Sequence, residues 1–209
     1  MPSPSQWLAF VIASVLFIQL PGPSLLFTLG RALTVSLRAA LTSVVGNAVG
    51  VVVQALLVAI GLGALVAASA STYTVLKIAG AAYIIWLGVQ AIRHRGDARA
   101  ALMAEQPIVE KPGPAVLTGF VVGVTNPKTI VFFVAFLPQF TNTSAPAAPQ
   151  LALLGIVFGA MAIVSDSVWA LVAGAARTWF ARRPARLDAV GATGGVMMIA
   201  LGTAMVSTK

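Results

Sequence analysis

The chain has 209 residues, 59% of them hydrophobic and only 9% charged, with a mean hydropathy of +0.97. A soluble domain carries about 25% charged residues, so this chain has too little polar surface for water, and its solvent is the bilayer. There is no Cys and a single His, His94, which excludes disulfides and argues against thiolate or His-rich metal sites.

A membrane-spanning helix needs about 20 mostly apolar residues. Six segments qualify: 7–30, 39–66, 72–92, 115–140, 151–176 and 189–207. The first has no basic region ahead of it and outruns the apolar stretch of a cleavable leader, so it reads as a span. It carries Leu20-Pro21-Gly22-Pro23-Ser24 in its middle. A proline inside a helix removes a backbone donor and clashes with the preceding turn. In a membrane the freed groups are tolerated only against protein or a water-filled cavity. The second span holds Asn47 between Gly46 and Gly50, and Gln54 beyond them. The third has Gly80 and Gly88 around an aromatic-apolar run with Tyr83 and Trp86. Residues 94–114 then form a linker between two halves, 1–93 and 115–209. Its composition allows a short helix over 98–105.

The fourth span is interrupted as the first is, here at Thr125-Asn126-Pro127-Lys128-Thr129. The fifth contains Gly155, Gly159 and Asp166. The sixth has Gly194 and Gly202 at the same separation as Gly80 and Gly88. Three spans per half, with corresponding breaks and glycines, predict an inverted-topology repeat. Helices interrupted at matching places in two halves point to a transporter binding site. The plainer alternative is two ordinary proline kinks.

The charges sort by loop. The net charge is +8, and ten of the thirteen Lys and Arg fall in the loops after spans one, three and five. The loops at 67–71 and 141–150 hold none. Basic loops stay cytoplasmic, which predicts both termini outside. It also explains the charge without a nucleic-acid partner.

Asp166 is the only acidic residue deep in a span, and Lys128 the only basic one near mid-depth. Each costs about 2.5–3.5 kcal/mol at a helix centre, so both are expected to face the interior. At 1.5 Å per residue, Asp166 lies about 22 Å and Lys128 about 18 Å below the outer face, with Gly22 at similar depth. Either the two charges form a structural ion pair, or Asp166 titrates in a coupling site. In the second case Lys128 meets a substrate carboxylate and Asp166 its ammonium. Gln19, Asn47, Gln54 and Tyr83 are candidate pathway linings, the alternative being packing and interhelical hydrogen bonds. Small residues four apart allow close helix approach, either within one chain or in a homodimer.

These residues resemble the LysE/RhtB family of bacterial amino-acid exporters. The similarity runs through Pro21-Gly22-Pro23 and Leu76-Lys77-Ile78-Ala79-Gly80-Ala81-Ala82-Tyr83-Ile84-Ile85-Trp86-Leu87-Gly88. It continues through Asn126-Pro127-Lys128 with Phe132-Phe133 and Leu137-Pro138-Gln139-Phe140, then Asp166 with Trp169, and last Gly194 to Gly202. The resemblance implies an all-α protein of the bacterial inner membrane. It would export amino acids under the proton motive force, as a transporter without cofactor or enzyme activity. The branch exporting neutral substrates such as threonine, homoserine, homoserine lactone or leucine looks closer than the lysine branch. A cationic substrate wants a second buried carboxylate, and only Asp166 is available. Three other classes compete. Cation transport is poorly served by a lone carboxylate beside a lysine. An intramembrane enzyme lacks any Ser/His or paired-carboxylate arrangement. A passive channel gives no reason for matched breaks with buried charge.

Overall fold

The computed structural model describes residues 1–66, 70–96, 99–100 and 112–207. Most of the expected helix over 98–105 and of the 94–114 linker lies outside the described residues, as does most of the 67–71 loop; Arg99 and Ala100 are described, and are helical. What is described is all-helical, with no strand among those residues.

Helix α1, Pro4–Gln19, begins at a reciprocal cap. Ser3 Oγ accepts from the Gln6 backbone N–H, and Gln6 Oε1 accepts from that of Ser3. This cap starts the helix three residues before the expected apolar run. α1 stops because Leu20 precedes Pro21, and a residue before proline is pushed out of the helical region. Leu20 is extended, at φ −65° and ψ 117°. α2, Pro23–Thr34, restarts with proline at its first position, where a missing N–H costs nothing. The two meet at 50°. α3 is Leu37–Val66 and α4 is Ala70–Arg93.

The second half repeats the device. α5, Pro112–Val124, ends ahead of Asn126, which is extended before Pro127. α6, Pro127–Ala135, starts there with the Asn126 side chain accepting from Lys128 N–H at 3.0 Å. This pair bends by 43°. A 3₁₀ turn, Leu137–Phe140, follows α6. Then come α7, Ala147–Ala175, the short α8, Arg177–Arg182, and α9, Ala185–Ser207.

By length and composition α3 (over Leu37–Gly61) and α7 can each cross a membrane, and four crossings result if each bent pair counts as one. α4 and α9, of 24 and 23 residues, occupy the third and sixth expected segments.

Glycines set the packing. A methyl added at Gly46, Gly50, Gly119 or Gly123 would run into facing backbone, at Val116, Phe120, Ser43 and Asn47 respectively. α3 and α5 are therefore parallel, with their main chains in contact. Gly155 and Gly159 of α7 face Ala55 and Val52 of α3, which makes that pair antiparallel. Gly88 and Gly202 join α4 to α9, at Gly195 and Ala81, again antiparallel. These glycine faces are thus consumed within one chain. At one end of the molecule Gln6 Nε2 donates to the Thr141 carbonyl at 2.8 Å. Near the C-terminal end of α4, Arg99 pairs with Asp188 at the start of α9 at 2.8 Å.

Candidate functional site

The two helix breaks meet. Lys128, in the first turn of α6, reaches across to the C-terminal end of α1. Its Nζ donates to the carbonyls of Phe17 at 2.8 Å and Leu20 at 2.6 Å. The last carbonyls of a helix have no partner inside it and carry partial negative charge. Lys128 supplies donor and charge together. The ammonium also lies 4.4 Å from the centre of the Phe17 ring. With only 5% of Lys128 exposed, these contacts offset its removal from water.

A second link runs through Ser24 on α2. Its hydroxyl accepts from Asn126 Nδ2 at 2.6 Å and donates to Asn47 Oδ1 at 2.9 Å. Asn47 Nδ2 in turn donates to Asp166 Oδ2 at 3.3 Å. One chain of polar atoms therefore joins the α5–α6 break to the α2 end of the other, then to α3 and to the carboxylate on α7. Beside it, Gln54 donates to the carbonyls of Val124 and Asn126, at 3.0 and 3.1 Å, and accepts from Thr129 Oγ1 at 2.6 Å. Gln54 thereby ties the last turn of α5 to the first turn of α6.

These groups line a cavity of about 30 Å³, room for a water or two and far below the 300 Å³ or more of a ligand pocket. Gly22, Ser24, Asn47, Asn126, Lys128, Thr129 and Asp166 contribute its polar wall. Toward the 3₁₀ turn it is closed by rings. Phe17 stacks on Phe132 at 4.3 Å, and Phe158 lies 5.2 Å from Phe132 and 5.1 Å from Phe133. On the other side Leu25, Leu29, Leu33, Ala170 and Leu187 pack together.

The structure thus brings Gly22, Asn47, Asn126, Lys128 and Asp166 to one place. Among the described residues no ion pair joins Lys128 to Asp166 directly. The ammonium sits on carbonyls and the carboxylate on an amide. Pro21 and Pro23 make the break, and Pro21 packs on Gly194 of α9. Gln54 supports the second break from behind. Gln19 and Tyr83 lie elsewhere. Gln19 is exposed on a groove between α1 and α7, bonded to Ser165 and Trp169. Tyr83 is half-buried against Trp86. Sequence reasoning did not single out Ser24, Thr129 and Phe17. A hydroxyl one residue after Pro23 and two residues after Pro127 was the available signal for the first two.

Bent pairs of apolar half-helices around buried charge define a multi-pass membrane protein. The family described as LysE type translocator matches residues 15–209, and the chain belongs to that family of transporters, which are not enzymes. It is 35% identical to an uncharacterized membrane protein of Vibrio cholerae, over 97% of both chains. It is 30% identical to a homoserine/homoserine lactone efflux protein of Salmonella typhimurium, again over 97% of both. Against a threonine efflux protein of Escherichia coli the identity is 26%, over 78% of this chain and 77% of the relative. No solved structure matches.

Proposed function

We propose that this protein exports small neutral amino acids from the cytoplasm, exchanging them for protons by alternating access. The observation that carries this reading is the cavity where two helix breaks present a buried ammonium and a buried carboxylate that do not touch each other. A zwitterion has the matching pair of charges. Its carboxylate fits beside Lys128 and the first turn of α2, where Gly22 provides no side-chain cap and the dipole is positive. Its ammonium fits at Asp166, in place of the Asn47 amide. The efflux names of the Salmonella and Escherichia relatives support amino acids, homoserine lactone included, as the cargo.

Coupling follows from the single carboxylate. Ionised Asp166 takes the substrate ammonium from the cytoplasm. On the outer side a proton binds Asp166, neutralises it and releases the substrate. The protonated carboxyl returns and gives its proton to the cytoplasm. The aromatic cluster around Phe17 and Phe132 is the outer barrier in this cycle.

Six spans in two inverted halves suit the helix directions. α3 runs parallel to α5 and antiparallel to α7, and α4 runs antiparallel to α9. The contact between Gln6 and Thr141 joins the N-terminal end to the loop without charges, which supports an N-terminus on the outer face of a bacterial inner membrane. Arg99 and Asp188 lie with the basic loops. A homodimer would have to use a face other than the glycine seams. Cation transport is disfavoured because Asp166 shares its cavity with an ammonium and is the only carboxylate on the wall.

The test is efflux from preloaded right-side-out and inside-out vesicles, across a panel of labelled amino acids, with and without a pH gradient. Gradient-driven movement of a neutral amino acid, lost in Asp166→Asn, is the expected result. Full, pH-sensitive transport by Asp166→Asn would sink the coupling role.

A further inference from the structure

The polar cavity carries the groups suited to the charged end of an amino acid, but at about 30 Å³ it holds no more than a water or two in this conformation. A second unfilled volume, a crevice open to the surface at Leu16 and Met197, shares the Phe17 ring with it. It measures about 320 Å³ and is lined by Ala13, Leu16, Phe17, Leu20, Phe132, Phe136 and Met197. Every lining side chain is apolar or aromatic. Phe17 borders both volumes, and its ring is the one that carries the Lys128 ammonium on its face. A single ring therefore separates the groups suited to the charged end of a substrate from a space suited to an apolar side chain.

We propose that this second volume is the side-chain subsite of the transported amino acid, with Phe17 as the ring that turns aside to admit it, and that the preferred cargo carries a branched or long apolar side chain. The proposal rests on the export reading above and narrows its substrate class. A hydroxyl entering this space would find no partner among its lining side chains, and an unsatisfied polar group there is penalised. An aliphatic side chain gains burial instead. The Lys128 contacts fix where the carboxylate end sits. The reach from there past the Phe17 ring suits leucine, isoleucine or methionine better than alanine or threonine. Discrimination by one or two methylenes in such a pocket amounts to about tenfold or more.

The experiment compares kcat/KM for leucine, methionine, threonine and alanine in proteoliposomes of the full chain. Two variants fill the pocket from opposite walls, Ala13→Leu on α1 and Met197→Trp on α9. A third, Val164→Trp, fills the separate groove between α1 and α7 as a control. The wild-type chain is expected to favour leucine over threonine by about tenfold or more. Each filling variant should lower the leucine-to-alanine ratio by a similar factor, with the control ratio unmoved. A ratio is read only from variants that elute as one species, and having two walls guards against one misfolded variant. Transport of amino acids without apolar preference, or filling variants that keep the wild-type ratio, would overturn the subsite. The space would then be a crevice for lipid acyl chains. A wild-type chain that moves no amino acid would overturn the export reading itself.

Discussion

Removing the Ser24 hydroxyl isolates the link between the two halves. In Ser24→Ala, Asn47 Oδ1 loses its donor at 2.9 Å and Asn126 Nδ2 its acceptor at 2.6 Å. Interhelical hydrogen bonds in membranes are worth about 0.6 kcal/mol on average and 1.7 at most. Two of them set a floor of about 1 kcal/mol. Both amides are 2% exposed, and a buried polar group left unpaired costs about 1–3 kcal/mol, which raises the ceiling to about 6. The cavity alongside can admit a water that recovers part of this, so about 2 kcal/mol is the working figure. The same change frees Asn47 from its orientation toward Asp166, so the maximal rate should fall by about tenfold, equivalent to about 1.4 kcal/mol. Ser24→Thr keeps the hydroxyl and should recover most of both. The assay pairs thermal unfolding in detergent with gradient-driven efflux, and adds Asn126→Ala for a double-mutant cycle. If Ser24→Ala unfolds within about 0.5 kcal/mol of wild type, transports normally and shows no coupling to Asn126, the chain of polar atoms does not tie the breaks together.

Four further outcomes are expected. Gly123→Leu drives a side chain into the Asn47 backbone of α3, so the folded yield in detergent should collapse, whereas Gly30→Ala, with open space around it, should not change it. Gly22→Ala places a methyl 2.6 Å from Lys128 Cδ. The lysine must then loosen its hold on the Phe17 and Leu20 carbonyls, and KM should rise at least several-fold while folded yield is kept. Gln19→Ala removes two hydrogen bonds on the outer groove and none at the cavity, so flux should stay within about twofold of wild type, under 0.5 kcal/mol. Arg99→Ala breaks a pair whose arginine is 45% exposed and should shift stability by less than about 1 kcal/mol.

Much of this was legible in the chain because prolines and buried charges have few places to go. Pro21, Pro23 and Pro127 had to kink or interrupt their helices, and helix ends form where the prolines stand. Lys128 and Asp166 could not face lipid, and both are buried on one cavity. Depth counted along straight helices was enough to bring Gly22 level with them. Partner choice was less legible. The ion pair suggested by two opposite charges at one depth is not the contact made, because the Phe17 and Leu20 carbonyls at the end of α1 compete for the ammonium. Those carbonyls belong to the backbone and leave no mark in the sequence. Gln19 and Tyr83 show the opposite limit. A polar side chain in an apolar helix signals a constraint, yet its bearing around the helix depends on neighbours the pattern does not name. Gly119 and Gly123 are four apart, a spacing that allows close packing without saying against what, and the structure sets them on α3.

The contact of α3 with α5 has a consequence for where cargo can travel. Main chains that touch leave no slot for a solute, and the same holds for the seam between α4 and α9. Any route into the polar cavity is therefore fenced on those flanks. The remaining approach runs between the α4–α9 pair and the α3–α5–α7 group, along the interrupted helices themselves. There Pro21 rests on Gly194 with no side chain of α9 between them. Under the proposed alternating-access cycle, these close-packed flanks stay fixed and the interrupted helices are the part that moves.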